Sequence, residues 1–128
     1  MLNTLSNEPV LAIFNPKLPN ELHTDASSHG FRTIILQNHD GNKRAVVYFS
    51  KATSDAESRY HAYELETLAA VYALKKFRHY FVGITFKLVT DCNSLKSAQY
   101  KRDLIPRISR WWVYLQDFDF IIEHRPGN

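Results

Sequence analysis

The hydrophobic period of this chain changes from that of strands to that of a helix, and this order constrains the fold more than any other feature. Three short apolar runs come first, at residues 21–25, 33–37 and 45–49. The Asp40-Gly41 pair after the second run is typical of a tight hairpin turn. Residues 54–80 have a helical period, and residues 84–90 alternate again. This order predicts three antiparallel strands, then a long helix that crosses to a fourth, parallel strand.

Residues 54–80 are predicted to form the longest helix of the chain. On a helical wheel one broad stripe collects its apolar residues, which are Ala62, Tyr63, Ala69, Ala70, Ala73, Leu74, Phe77, Tyr80 and Phe81. The opposite side carries Glu64, Lys75, Arg78 and His79 and is predicted to face solvent. Gly83 follows as a stop signal.

The remainder of the chain predicts smaller elements. Residues 93–100 are a candidate short helix, and Pro106 suits the first turn of another, whose apolar side would consist of Ile108, Trp111, Trp112 and Leu115. Residues 118–124 are predicted to form a last strand. Residues 1–20 contain three prolines and are interpreted as a connecting segment that packs its apolar residues 10–14 against the domain.

Length and composition limit the classes of protein to consider. The 128 residues provide one hydrophobic core and hence one domain. The net charge of +3 permits a polyanionic partner without requiring one. The single cysteine, Cys92, excludes an internal disulfide and a cysteine-based zinc site within the chain. Neither export nor membrane insertion is expected, because the longest early apolar run is far too short to span a bilayer.

Three carboxylates stand out by their positions. Asp25 ends the first predicted strand, Asp91 follows the fourth, and Glu66 lies within the apolar stripe of the helix. A buried carboxylate must be protonated, pair with a cation or bind metal. Three oxygen ligands favour Mg²⁺ or Mn²⁺, and two such ions would suit phosphate hydrolysis. An aspartate at a strand end is also a common turn or cap residue, so the pattern alone leaves both interpretations open.

Several motifs in a fixed order resemble the ribonuclease H domain of Gypsy-type (Metaviridae) LTR retrotransposon reverse transcriptases, which are part of a pol polyprotein. The motifs are residues 22–27, 47–51, 63–69, 77–80 and 90–95, flanked by residues 8–12 and by residues 110–112 and 124–127. The likeness covers nearly the whole chain. It implies a ribonuclease H-like α/β fold, with a five-stranded mixed sheet flanked by helices.

The resemblance also implies a domain division and a function. Residues 1–20 would be a connection segment, and residues 21–128 a ribonuclease H-like domain that is truncated at the C-terminus. The expected activity is hydrolysis of the RNA strand of RNA–DNA hybrids with two Mg²⁺ ions, for which Mn²⁺ could substitute. The expected partners are the hybrid and the polymerase and connection region of the same polyprotein, without a membrane or an organic cofactor. A cytoplasmic location is expected, with a virus-like particle or the nucleus as alternatives.

The catalytic and metal-binding acids of the family correspond to Asp25, Glu66 and Asp91. The family has a fourth carboxylate after the Arg-Pro-Gly turn, and this chain ends before that position, at Asn128. Arg32 stands where the family has small residues, and is interpreted either as a surface residue or as an obstruction. A catalytically weak or inactive module that binds nucleic acid or supports a reverse transcriptase is therefore the alternative function.

Small polar residues near these acids are the candidates for contact with a hybrid. Ser27, Asn93 and Ser94 are selected because they follow the two strands that carry Asp25 and Asp91. Serine and asparagine after a strand also commonly cap the next helix, and one role does not exclude the other.

Overall fold

The computed structural model describes residues 12–91 and 106–125. Their elements in chain order are β1 (Asn20–Ala26), β2 (Gly30–His39), β3 (Asn42–Ala52), a 3₁₀ turn (Glu57–Arg59), α1 (Ala62–Lys76), α2 (Arg78–Phe81), β4 (Thr85–Thr90), α3 (Pro106–Leu115) and β5 (Asp119–His124). The helix predicted at residues 93–100 lies outside the described residues, as do the candidate contact residues Asn93 and Ser94.

The five strands form one mixed sheet in the order β3-β2-β1-β4-β5. The first three strands are antiparallel neighbours, whereas β4 is parallel to both β1 and β5. The hairpin between β2 and β3 turns at Asp40 and Gly41, whose φ values of 55° and 85° are those that an Asp-Gly turn supplies. The predicted five-stranded mixed sheet with flanking helices is therefore confirmed.

The parallel pair β1 and β4 determines where the two aspartates lie. Its register places Leu22 opposite Leu88 and His23 opposite Val89. The same register, continued by two residues, places Asp25 opposite Asp91. Helix α1 connects the antiparallel half of the sheet to β4 and packs against β1. Both aspartates therefore lie at the carboxyl edge of the sheet, next to the helix.

The long helix is shorter than predicted. The range 54–80 is divided into the 3₁₀ turn, α1 and α2, because Tyr60, His61 and Phe77 leave the helical conformation. His61 is extended (ψ 157°) and caps α1, and Phe77 (φ −114°, ψ 30°) separates α1 from α2. The ring of Phe77 packs edge-on against Phe49 of β3, with the ring centroids 5.8 Å apart. The apolar period continues through Phe77 because α1 and α2 pack on the same core.

Two residues of α1 are placed differently from the helical-wheel prediction. Ala62, assigned to the apolar stripe, is exposed in the first turn. Glu64, assigned to the solvent side, is buried because α3 covers that side of the helix. Its carboxylate pairs with Arg107 of α3, and the Arg107 guanidinium lies 4.3 Å from the centre of the Tyr60 ring. Glu64 therefore connects α1 to α3.

The described part of the segment before β1, residues 12–19, packs against the sheet and α2, as predicted for its apolar residues. The N–H of Ala12 donates to the carbonyl of Ala45 at 2.8 Å, and the Phe14 ring lies 4.5 Å from that of Tyr80. Within the described residues, the helices are too short or too polar to cross a membrane.

Small side chains allow α1 to approach the sheet closely. Ala70 and Ala73 are fully buried, and Ala70 lies one turn after Glu66 on the same side of the helix. The closeness of helix and sheet is what brings Glu66 to the edge where the aspartates lie.

Ala70→Leu is expected to destabilise the protein by about 1–3 kcal/mol, because the larger side chain has no space between α1 and the sheet. Urea unfolding measures the change. Ala62→Leu makes the same chemical change at an exposed position of the same helix, so its effect should stay within about 0.5 kcal/mol. Equal effects of the two substitutions would contradict close packing at Ala70.

Candidate metal centre

The three carboxylates selected from the sequence converge in the structure. Asp25 lies near the end of β1, Asp91 directly follows β4, and Glu66 lies in the second turn of α1. One oxygen from each residue lies within 4.8 Å of the others. These three residues, named the acidic cluster below, come from three separate elements, and their convergence depends on the parallel β1–β4 register and on the close approach of α1.

Glu66 is the unusual member of the acidic cluster. Only 3% of its surface is exposed, and neither carboxylate oxygen has a hydrogen bond of ordinary geometry to a described group. Burial, and then the negative charges of Asp91 and Asp25, raise the pKa of Glu66 to about 8. The backbone N–H of Ala26 opposes this shift, but its effect is smaller than those of the other three causes. Among residues 12–91 and 106–125, no positive charge therefore lies next to Glu66.

A divalent cation fits this environment. The oxygens of Glu66 are buried and have no hydrogen-bond partner of ordinary geometry in the part of the chain that the structure describes. Asp25 is partly exposed and Asp91 is exposed, so solvent reaches the cluster from one side. Carboxylate oxygens are the ligands that Mg²⁺ and Mn²⁺ prefer. A bound cation would remove the cost of ionising Glu66 and the mutual repulsion of the three carboxylates.

Arg32 is a positively charged residue that contacts Asp25, one member of the acidic cluster. Its guanidinium donates to Oδ2 of Asp25 at 2.8 Å, from the residue directly opposite on β2. Both side chains are substantially exposed, with 62% of Arg32 and 48% of Asp25 accessible. Arg32 is therefore a surface residue that also contacts a residue of the site, and its obstruction of the site stays a prediction.

Ser27 lies beside the cluster and shapes a turn. Its hydroxyl accepts a hydrogen bond from the N–H of His29 at 3.1 Å, and its own N–H donates to the carbonyl of Gly30. The capping role is thus performed in the β1–β2 turn and not at a helix. Ser27 remains exposed, so its predicted contact with a hybrid stays a prediction.

His124 is a residue of the site that the sequence analysis missed. Its Nε2 lies 3.2 Å from the backbone carbonyl oxygen of Asp91, to which it donates when the proton is on that nitrogen. The next residue, Arg125, donates its N–H to the carbonyl of Thr90 at 2.9 Å. The available signal was its position at the end of the last predicted strand. His124 and Arg125 therefore fix the backbone that presents Asp91.

Comparison with known families agrees with this geometry. Residues 15–118 match the family model described as the RNase H-like domain found in reverse transcriptase. The chain belongs to this family. The RNase H-like domain is 35% identical to the transposon Tf2-3 polyprotein of Schizosaccharomyces pombe, over 97% of the chain and 10% of the polyprotein. The Tf2-4 polyprotein of the same organism gives the same values. The resemblance to Gypsy-type retrotransposons is confirmed, and the chain spans about a tenth of these relatives.

Solved structures with low sequence identity share the fold. A foamy viral protease-reverse transcriptase in complex with an RNA/DNA hybrid superposes with a TM-score of 0.76 at 18% identity, over 97% of this chain and 17% of that one. RNase H1 from the halophilic archaeon Halobacterium salinarum NRC-1 gives a TM-score of 0.61 at 17% identity, over 84% of this chain and 86% of that one. The ribonuclease H-like fold is therefore confirmed.

Proposed function

We propose that the RNase H-like domain hydrolyses the RNA strand of RNA–DNA hybrids with the acidic cluster as its metal site. The observation that carries the proposal is the buried carboxylate of Glu66, which has no partner of ordinary hydrogen-bond geometry among the described residues and lies within 4.8 Å of oxygens from Asp25 and Asp91. A carboxylate with a structural role would have a cationic or hydrogen-bonding partner. Glu64, two residues before Glu66 on the same helix, has such a partner in Arg107. Membership of the family supports the same function.

Each residue of the cluster has a separate task in this proposal. Glu66 is held on a packed helix, so its carboxylate forms the inner wall of the metal site. Asp25 and Asp91 extend from strand ends toward solvent, where a phosphate of the hybrid can approach. Mg²⁺ ions bound there, two in a complete site and with Mn²⁺ as a substitute, would supply an activated water and neutralise charge at the phosphate. His124 would keep Asp91 in place through its backbone.

Recognition of the hybrid would use small polar groups beside the cluster. The Ser27 hydroxyl is exposed in the turn after β1, and Asn93 and Ser94 follow Asp91 in the sequence. Such groups suit contact with phosphates and with RNA 2′-hydroxyls in a wide minor groove. We further propose that the polymerase and connection region of the same polyprotein is the partner that delivers the hybrid, since the Tf2 relatives are polyproteins.

The contact between Arg32 and Asp25 favours a second candidate function. Arg32 donates at 2.8 Å to a carboxylate oxygen of Asp25 that a metal ion would need as a ligand. If that pair persists, the domain would be a weakly active or inactive module that binds nucleic acid or supports a reverse transcriptase. Cleavage distinguishes the two candidates directly.

The test measures cleavage of an end-labelled RNA strand. The labelled strand is supplied in an RNA–DNA hybrid, in a double-stranded RNA or as a single strand, and each substrate is incubated with Mg²⁺, Mn²⁺ or EDTA. We expect cleavage of the hybrid alone, and only with a divalent cation. Asp91→Asn prepared in the same way measures any contaminating host nuclease. Equal cleavage by both preparations, or none by either, would reject the enzymatic proposal and favour the binding module.

A further inference from the structure

Arg32 is positioned by the sheet to face Asp25. The antiparallel pairing of β1 and β2 places the two residues directly opposite each other, on the same face of the sheet. The guanidinium donates to Oδ2 of Asp25 at 2.8 Å. Because an arginine guanidinium does not lose its proton in proteins, Arg32 places a positive charge beside the acidic cluster.

The charge of Arg32 reaches one end of the cluster and not the other. Among residues 12–91 and 106–125, Asp25 forms an ion pair with Arg32. Glu66 and Asp91 form no ion pair with any of these residues. Glu66 is buried, and within the same described residues neither of its carboxylate oxygens has a hydrogen-bond partner of ordinary geometry. The cluster therefore keeps uncompensated negative charge even with Arg32 in place, which is the condition for a cation to bind.

We propose that Arg32 is an internal counter-ion of the acidic cluster, which a divalent cation must displace from Asp25, so that a residue of β2 lowers the affinity of the site for metal. The inference rests on the proposed metal site. It assigns to this chain a determinant of metal affinity that is not itself a ligand.

The exposure of the pair makes displacement physically accessible. Exposed ion pairs are weak, because water and salt screen them and because ordering two long side chains costs entropy. A divalent cation bound in the cluster would interact with all three carboxylates at once, whereas Arg32 contacts one of them. The guanidinium would then be released on a flexible side chain with 62% of its surface exposed, beside the position that a phosphate of the hybrid would approach.

The opposite role for Arg32 makes the opposite prediction. If the arginine instead holds Asp25 in the orientation that a metal requires, its removal would weaken metal binding. The single positive charge of Arg32 and a divalent cation several ångströms away repel each other strongly enough, even in high dielectric, to change the affinity for the cation by about tenfold. The sign of the change therefore decides between a counter-ion and an orienting residue.

The experiment measures the dissociation constant of Mn²⁺ for the chain, by calorimetry and by electron paramagnetic resonance of free Mn²⁺, without substrate. Arg32→Met is expected to bind Mn²⁺ about 5- to 20-fold more tightly than the original chain. Arg32→Lys keeps the charge and should stay within about threefold. Arg44→Met is the matched control, because it removes the same charge from an exposed position. Arg44 lies on β3 opposite Gln37, a residue of β2 that is far from Arg32 along that strand.

Each outcome has a defined meaning. Tighter binding in Arg32→Met alone supports the counter-ion. Unchanged or weaker Mn²⁺ binding by Arg32→Met overturns the counter-ion role and leaves the proposed metal site standing. The same conclusion follows if Arg44→Met or Arg32→Lys binds Mn²⁺ as tightly as Arg32→Met does. Absence of Mn²⁺ binding in every variant, including the original chain, overturns the proposed metal site together with this inference.

Discussion

Asp91→Asn is expected to lower the rate of hybrid cleavage by at least about 100-fold, which corresponds to about 3 kcal/mol of lost transition-state stabilisation. The substitution keeps the size of the side chain but removes a negative charge from the acidic cluster. Asp91 is exposed at the end of β4, so the fold should tolerate the change. The measurement is the initial rate of RNA-strand cleavage in excess Mg²⁺, compared at equal concentrations of folded protein.

Asp117→Asn is the matched control for this prediction. Asp117 is exposed between α3 and β5 and lies outside the acidic cluster, and its substitution makes the same change of charge. Its cleavage rate should stay within about twofold of the original, since exposed substitutions away from a site have small effects. A similar loss in both variants would mean that net charge, and not the cluster, controls cleavage.

The acidic cluster could be predicted from the sequence because each of its members follows a local rule. Asp25 and Asp91 end strands, and a parallel pair of strands ends at one edge of the sheet. Glu66 precedes Ala70 and Ala73 by four and seven residues, which is the spacing of one helix face. The convergence of the three follows from these spacings once β1 and β4 are neighbours.

Features set by contacts distant in sequence could not be predicted in this way. The burial of Glu64 depends on Arg107, which is 43 residues away on α3. A helical wheel assigns a side to each residue but does not show which element covers that side. The end of α1 at Phe77 likewise depends on packing against Phe49 of β3.

The relation of Arg32 to Asp25 was left undecided by the sequence for a similar reason. The two residues are seven positions apart, and their pairing depends on the register that the β1–β2 turn imposes. Ser27 sets that turn, with its hydroxyl and its N–H both used inside it. A turn one residue longer would have moved Arg32 to the other face of the sheet.

The pKa of Glu66 leads to the second large effect, which concerns stability. Glu66→Gln is expected to stabilise the metal-free protein at pH 8 by on the order of 4 kcal/mol, because each pKa unit corresponds to about 1.4 kcal/mol. The ordinary pKa of this carboxyl group is 4.5, and burial with the charges of Asp91 and Asp25 raises it to about 8 in the folded protein. Glutamine has about the size and polarity of the protonated acid but does not ionise.

The sign of the pH dependence follows from the raised pKa. Between pH 4.5 and about 8 the folded chain binds the Glu66 proton and the unfolded chain does not, so the original chain loses stability as the pH rises. The two proteins should be nearly equally stable below pH 4.5 and diverge steadily up to pH 8. Urea unfolding in EDTA at a series of pH values measures this difference, in which the titration of all other groups cancels to first order.

Glu64→Gln is the control that separates an uncompensated carboxylate from a paired one. Both glutamates are buried on α1, but Glu64 has Arg107 as its partner, so its substitution should destabilise the protein. Added Mg²⁺ should stabilise the original chain and Glu64→Gln, because a ligand of the folded state raises its stability, and should have little effect on Glu66→Gln. The prediction is contradicted if Glu66→Gln is less stable than the original chain at pH 8, or if Mg²⁺ stabilises both proteins equally. Either result would show that Glu66 has a structural role and does not bind a metal ion.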